Sequence, residues 1–141
     1  ITKRARLALF DARLPHLCAA SWEELCRRAV PRLAAELGGD FGPAKRYWGG
    51  SGPEWDVVAE TGDRRTLLLG EVKWSRELMT ERALGHAYAT LVAKGRGSFL
   101  HQGITYALFV PSLARKRPRG IPESVKLVDA RMVLAALGES D

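Results

Sequence analysis

The chain has 141 residues, of which 46% are hydrophobic and 27% are charged, as is usual for a globular domain. This length suits one domain that buries a working core without disulfide or metal staples. No run of about 18 apolar residues and no secretory signal are visible, so we expect a cytoplasmic protein without membrane association. The formal net charge of +6 favours a polyanionic partner, although a merely basic surface is the simpler explanation.

The N-terminal residues 1–20 are interpreted as an arm or a linker from a preceding domain, and residues 21–141 as a single domain. The chain opens with Ile1 rather than Met, which suits either a fragment of a longer protein or a trimmed chain. Cys18 and Cys26 do not have the paired spacing of zinc ligands, so we expect buried or incidental thiols.

The first helix is predicted to begin at Ser21, an N-cap residue that forms a capping box with Glu24. Apolar residues then recur at helical spacing as far as Leu37, before a pair of glycines. Pro31 lies inside this run and is expected to kink the helix or to end its first half.

Three strands are predicted next, over Ala44–Trp48, Glu54–Glu60 and Thr66–Trp74. The residues between the last two strands are typical of a hairpin turn. The third strand is apolar on both faces until it reaches two charged residues, which indicates a buried central strand with an anomaly near its end.

The second half of the chain contains a predicted helix, two strands and a terminal helix, over Arg76–Lys94, Ile104–Val110, Val125–Val128 and Arg131–Leu137. The order of helix, three strands, helix and strand predicts an α/β fold in which helices flank a mixed β-sheet.

The anomalous charges are Glu71 and Lys73, which are two residues apart and so project to the same face of a strand. Buried charges are costly unless they are paired or bind a metal. If the hairpin pairs near its middle, Asp56 of the preceding strand lies beside Glu71. Two carboxylates this close repel each other unless a divalent cation neutralises them, and oxygen ligands favour Mg²⁺ or Mn²⁺.

Such a site suits the hydrolysis of a phosphodiester. A metal polarises the phosphoryl oxygen and lowers the pKa of a bound water, and Lys73 would orient or activate that water. The carbonyl of Val72 is a further candidate metal ligand. The simpler alternative is a structural Glu71–Lys73 pair at the end of a strand.

Two segments together, Glu54-Trp55-Asp56-Val57-Val58 and Gly70-Glu71-Val72-Lys73-Trp74, resemble the D…ExK core of the PD-(D/E)XK nuclease-like superfamily. The resemblance implies a restriction-endonuclease-like αβββαβ core. It also implies that Asp56 and Glu71 bind the metal, that Lys73 is the catalytic lysine, and that a glutamate of the first helix assists them. Glu23 is our choice for that glutamate because it borders the apolar helix face. The sequence departs from the superfamily in having Trp55 where the proline directly before the aspartate is expected.

With Trp22-Glu23 and Arg46-Tyr47-Trp48 included, the pattern is also similar to the domain of unknown function at the C-terminus of archaeal and bacterial AAA-type ATPases. This narrower resemblance implies an ATPase on the same chain or as a partner. We also consider a homodimer.

The candidate nucleic-acid contacts form a dense basic run beside Pro118 and Gly120, which place it in a loop. They are Arg115, Lys116, Arg117 and Arg119. Trp48 and Trp74 lie near predicted strand ends, where each would either stack on a base or pack in the fold, whereas Trp22 and Trp55 are expected in the core.

The leading hypothesis is therefore a nuclease-like domain that needs Mg²⁺ or Mn²⁺ and hydrolyses DNA phosphodiester bonds. The alternative is a catalytically inactive module that binds nucleic acid or regulates an ATPase. A third hypothesis is an interaction domain whose charges form structural pairs. ATP hydrolysis is excluded from these residues because they contain no GxxxxGK[ST] phosphate loop.

Overall fold

One five-stranded mixed sheet forms the centre of the fold, and its strands follow each other in chain order. The computed structural model of the chain describes residues 2–5, 8, 19–48, 52–75, 77–113 and 117–138. The strands are β1 (Lys45–Tyr47), β2 (Trp55–Glu60), β3 (Thr66–Val72), β4 (Gly103–Phe109) and β5 (Val125–Val128). The first three strands are antiparallel, and β3, β4 and β5 are parallel. The predicted α/β fold with a mixed sheet and flanking helices is confirmed.

The helices connect these strands and cover both faces of the sheet. They are α1 (Ala19–Ala29), a 3₁₀ turn (Val30–Arg32), α2 (Ala34–Leu37), α3 (Glu81–Lys94) and α4 (Ala130–Gly138). Among the described residues, no helix combines the length and the apolar character that a membrane span requires.

The prediction for the start of the first helix is wrong, whereas the prediction for its interruption is confirmed. Helix α1 begins at Ala19, so Ser21 lies inside its first turn. The two alanines before Ser21 are strong helix formers, and they extend the helix backwards. At the other end, Pro31 lies in the 3₁₀ turn that separates α1 from α2, because proline cannot donate an intrahelical hydrogen bond.

The predicted hairpin joins β2 to β3, with Val57 opposite Gly70 and Glu60 opposite Leu67. Its turn is held by Thr61, whose backbone N–H donates to the Thr66 carbonyl at 3.0 Å. The turn lies at one end of the sheet. The start of β2 and the ends of β1, β3, β4 and β5 lie at the other end, which we call the site end.

Helix α3 begins five residues later than predicted. The Thr80 hydroxyl caps it by accepting a hydrogen bond from the Ala83 N–H at 3.0 Å. The preceding Met79 forms an isolated bridge with Leu113 in the loop after β4. The N-cap at Thr80 and this bridge explain the later start of α3, because the chain before Thr80 pairs with that loop instead of forming a helix.

Two hydrophobic clusters lie on opposite faces of the sheet. One contains Trp22 and Cys26 of α1, together with residues of α4, and the other contains Trp55 and the buried face of α3. Trp22 and Trp55 are almost fully buried, as predicted. The sheet is thus covered on both faces, and charged side chains in its central strand need partners.

Candidate active site

Three of the predicted site residues lie at the site end of two neighbouring strands. Asp56 is the second residue of β2, Glu71 is the last but one of β3, and Lys73 follows β3 directly. Continued by one residue, the β2–β3 register places Asp56 opposite Glu71. Residues opposite each other in an antiparallel pair have their side chains on the same face of the sheet.

Asp56 is tied to β3 through its side chain. Its Oδ2 accepts a hydrogen bond from the backbone N–H of Val72 at 2.8 Å. The carboxylate of Asp56 therefore lies against the segment between Glu71 and Lys73, where the sequence argument requires it.

Glu71 is the only buried charged residue in the described part of the chain, with a relative exposure of 5%. Its Oε1 forms a hydrogen bond and an ion pair with Nζ of Lys94, the last residue of α3. A buried carboxylate needs such a partner, because an unpaired charge in this position would cost several kcal/mol, on the order of 3–5.

Lys94 is surrounded by negative and electron-rich groups. Its Nζ donates to the backbone carbonyl of Glu54 at 2.6 Å and lies 5.0 Å from the centroid of the Trp55 ring. Burial lowers the pKa of Lys94, whereas the negative charges of Asp56 and Glu54 act in the opposite direction. The ammonium group thus contacts both the Glu71 carboxylate and the Glu54 carbonyl.

The backbone of Lys73 is fixed on both sides. Its N–H donates to the Phe109 carbonyl at 2.8 Å, and its carbonyl accepts from the indole N–H of Trp22 at 2.9 Å. Val72 and Trp74 pack against the cluster of Trp22, so strand alternation directs the half-buried Lys73 side chain to the face of Glu71.

Glu23 reaches the site through one intervening residue. Its carboxylate pairs with Arg27 at 2.7 Å, and the same guanidinium nitrogen donates to the Asp56 carbonyl at 3.1 Å. Cys26 on the same helix is a buried free thiol, and burial raises its pKa far above its ordinary value. The predicted buried thiol is confirmed at Cys26, and Cys18 lies outside the described residues.

The donor set at the site end fits a hard divalent cation. The Glu71 carboxylate and the Glu54 carbonyl contact one positive charge, the Asp56 carboxylate lies on the neighbouring strand, and oxygen atoms are the ligands that Mg²⁺ and Mn²⁺ prefer. Asp56 and Glu71, with the Val72 carbonyl, would hold it. Within the described ranges, no group of three or more His, Cys, Asp or Glu side chains is arranged around a common metal position.

The predicted nucleic-acid residues of the basic run are only partly described. Arg115 and Lys116 lie outside the described residues. Arg117 donates to the carbonyls of Pro122 and Val125 at 2.8 and 2.7 Å, and so ties the loop to the start of β5. Arg119 is exposed.

The two tryptophans near strand ends differ. The ring of Trp74 lies 6.5 Å from that of Trp22 and packs against the core, in agreement with the packing alternative. The side chain of Trp48 is 62% exposed, so much of its ring surface is in contact with solvent.

Lys94 is the site residue that the sequence argument missed. It lies 23 residues after Glu71, a spacing that carries no signal. The burial of Glu71 in a strand that is otherwise apolar does require a cationic partner, and the end of the following helix is one place to look for it.

The comparison with protein families identifies a match over the first part of the chain. The sequence profile of the DUF234 family, described as archaeal and bacterial proteins of unknown function, matches residues 2–85. The match includes Glu23, Asp56, Glu71 and Lys73 and ends before Lys94. No curated protein and no solved structure matches the chain. Because the profile covers more than half of its residues, the chain belongs to the DUF234 family.

Proposed function

We propose that this domain is a nuclease-type hydrolase that uses Mg²⁺ or Mn²⁺ to cleave DNA phosphodiester bonds. The observation that carries the proposal is the placement of Asp56 opposite Glu71 at the ends of adjacent strands, with the Asp56 carboxylate on the Val72 N–H and Lys73 two residues beyond Glu71. The element order and these residues also agree with the resemblance to the PD-(D/E)XK superfamily.

Each residue has a distinct task in the proposed reaction. Asp56, Glu71 and the Val72 carbonyl would hold a divalent cation, which when bound would polarise the phosphoryl oxygen and supply an activated water. Lys73 donates hydrogen bonds to the attacking water and to the negative charge that develops on the phosphate.

Glu23 acts on the cation site indirectly, through another residue. Through Arg27 it fixes the Asp56 backbone, which keeps the Asp56 carboxylate at the end of β3. We therefore assign Glu23 a positioning role, and Arg27 carries its effect to the site.

Association with an AAA-type ATPase, on the same chain or as a partner, is part of the proposal. Its support is the resemblance of the segments around Glu23, Trp48, Asp56 and Glu71 to the domain that such ATPases carry at their C-terminus. Co-purification of the full-length gene product with ATPase activity would test it.

The test of catalysis is a cleavage assay on single-stranded, duplex and branched DNA with Mg²⁺ or Mn²⁺. Asp56→Asn keeps an oxygen that accepts from the Val72 N–H but removes the charge, and Lys73→Met keeps the apolar stem. Each is expected to reduce the rate by about 100-fold or more, the scale at which lost electrostatic stabilisation acts. Glu60→Gln, at the other end of β2 and exposed, is the matched control and should cleave normally. Equal rates for the wild-type protein and Lys73→Met would refute catalysis at this site.

The second candidate is a catalytically inactive module that binds nucleic acid or regulates an ATPase. The ion pair of Glu71 with Lys94 favours it, because this pair satisfies the buried carboxylate without a metal. DNA binding that is unchanged in Asp56→Asn, with no turnover by either protein, would favour this candidate over the nuclease.

A further inference from the structure

A basic groove lies between α1 and the edge strand β1, outside the carboxylate site. Its volume is about 680 Å³, and its charged lining consists of four cationic side chains and one carboxylate. These residues are Arg27, Arg28, Lys45, Arg46 and Glu24.

The positive charge of the groove is only partly neutralised. Glu24 pairs with Arg27 at 3.1 Å and with Arg28 at 3.4 Å. Over the ranges that the structure describes, no carboxylate forms an ion pair with Lys45 or Arg46. These two cations lie on β1, which is three residues long, exposed throughout and paired with β2 alone. The groove thus carries excess positive charge at the sheet edge.

An exposed aromatic ring completes the groove. Trp48 follows β1 directly, and the Arg46 guanidinium lies 4.9 Å from its ring centroid. The Trp48 side chain is 62% exposed, and the face of an indole ring stacks well on a base. Only an unpaired base can offer its face, since the bases of a duplex are stacked on each other.

The groove and the carboxylate site share a residue. Arg27 lines the groove and donates to the Asp56 carbonyl. The end of β1 also lies at the site end of the sheet, because Tyr47 pairs with Trp55 beside Asp56. The groove therefore lies at the same end of the sheet as the carboxylates, on the side that α1 covers.

We propose that this groove binds single-stranded nucleic acid, with backbone phosphates on Arg28, Lys45 and Arg46 and an unpaired base stacked on Trp48. The volume of the groove agrees with this proposal. Pockets of roughly 300–1,000 Å³ hold ligands of small-molecule size, and one or two nucleotides are of that size. This inference rests on the proposed function for the choice of DNA as the polymer. It deepens that function by naming an unpaired segment of the DNA as the feature that the domain recognises.

The test is fluorescence anisotropy with a labelled oligothymidylate and with a duplex of equal length, in EDTA so that no cleavage occurs. We expect tighter binding of the single strand. Trp48→Ala should raise its Kd by about 5- to 150-fold, the range for loss of one stacked base, while Trp48→Phe should retain most of the affinity. Lys45→Gln and Arg46→Gln should each reduce the slope of log K against log salt by about 0.7.

Two variants serve as controls at exposed positions elsewhere. Leu100→Ala removes an exposed apolar side chain, and Arg65→Gln removes a charge from the β2–β3 turn at the far end of the sheet. Both should bind the single strand as the wild type does. Because Trp48 is exposed, its replacement should leave the melting temperature unchanged.

The outcomes separate this inference from the proposed nuclease activity. Loss of binding in Trp48→Ala without any cleavage by the wild type supports the groove and counts against the nuclease. Normal cleavage with unchanged single-strand binding in Trp48→Ala and Arg46→Gln overturns the groove and leaves the nuclease intact. Equal affinity for the duplex, or equal displacement by an acidic polypeptide such as polyglutamate, would also overturn it.

Discussion

The replacement of Lys94 by Met tests whether the Lys94 ammonium group occupies the position that a divalent cation would take between Asp56 and Glu71. Methionine keeps much of the apolar length of the lysine stem, so the main loss is the charge. Removal of one partner from a buried pair costs about 3–5 kcal/mol. Here the Lys94 side chain is 23% exposed and that of Glu71 6%, so we expect a smaller decrease in the free energy of unfolding, about 2–3 kcal/mol. At about 3 °C per kcal/mol for a domain of this size, the melting temperature should fall by about 6–9 °C.

Added Mg²⁺ or Mn²⁺ should then recover much of this loss. A ligand that binds only the folded state stabilises it by about 2.7 kcal/mol at 100 times its Kd. In Lys94→Met the carboxylates of Asp56 and Glu71 face the cation without a competing ammonium group. The metal-induced rise in melting temperature should therefore exceed that of the wild-type protein.

Thermal unfolding with EDTA and with increasing metal measures both effects. Arg82→Met removes an exposed positive charge from the same helix and should change neither the melting temperature nor its response to metal. The double variant Lys94→Met/Glu71→Gln should be more stable in EDTA than Lys94→Met, because it leaves no uncompensated carboxylate, and it should lose the extra metal response. A metal response in Lys94→Met no larger than in the wild type would refute the reasoning.

Three further predictions concern residues of the sheet and the helices around the site. Gly70→Ala should decrease the free energy of unfolding by about 1–3 kcal/mol in denaturant titrations, because its new methyl group would lie 3.0 Å from Phe109 and 3.1 Å from Val57; an unchanged midpoint would contradict this contact. Thr80→Ala should cost about 1 kcal/mol by the same measurement, since it removes the N-cap of α3, and Thr80→Ser should restore it. Burial raises the folded-state pKa of Cys26 above its ordinary value of 9.0, so its contribution to stability is complete below pH 9 and declines as the pH rises beyond it. The free energy of unfolding of the wild type minus that of Cys26→Ala should therefore be constant below pH 9 and decrease above it, and the native thiol should resist alkylation at neutral pH.

Much of the fold follows from local patterns in the sequence. The apolar run of β3 and the turn residues before it predict a central strand in a hairpin, and the observed β2–β3 register places Asp56 opposite Glu71 as expected. The proline at position 31 correctly predicts the interruption of the first helix. These features depend only on residues that are close together in the sequence, so local sequence patterns predict them.

The features that the sequence did not reveal depend on how distant elements pack. Helix α3 crosses the sheet obliquely, from the loop after β4 at Leu113 to the start of β2 at Glu54. A helix that ran straight back along the strands would carry Lys94 away from Glu71, and only the docked helix brings them together. The groove beside Trp48 likewise depends on the packing of α1 against an edge strand, which no local pattern encodes.

The agreement between strand order and chain order bears on how the domain is assembled. Each strand pairs with the one made just before it, so the β1–β2–β3 meander closes only short loops, whereas β4 must return past the whole of α3 to lie parallel to β3. We therefore expect the meander to form early and the contacts of α3 with the site end to form after the rate-limiting step. Substitutions in the β2–β3 turn should slow refolding, while those at the Lys94 contact should mainly accelerate unfolding.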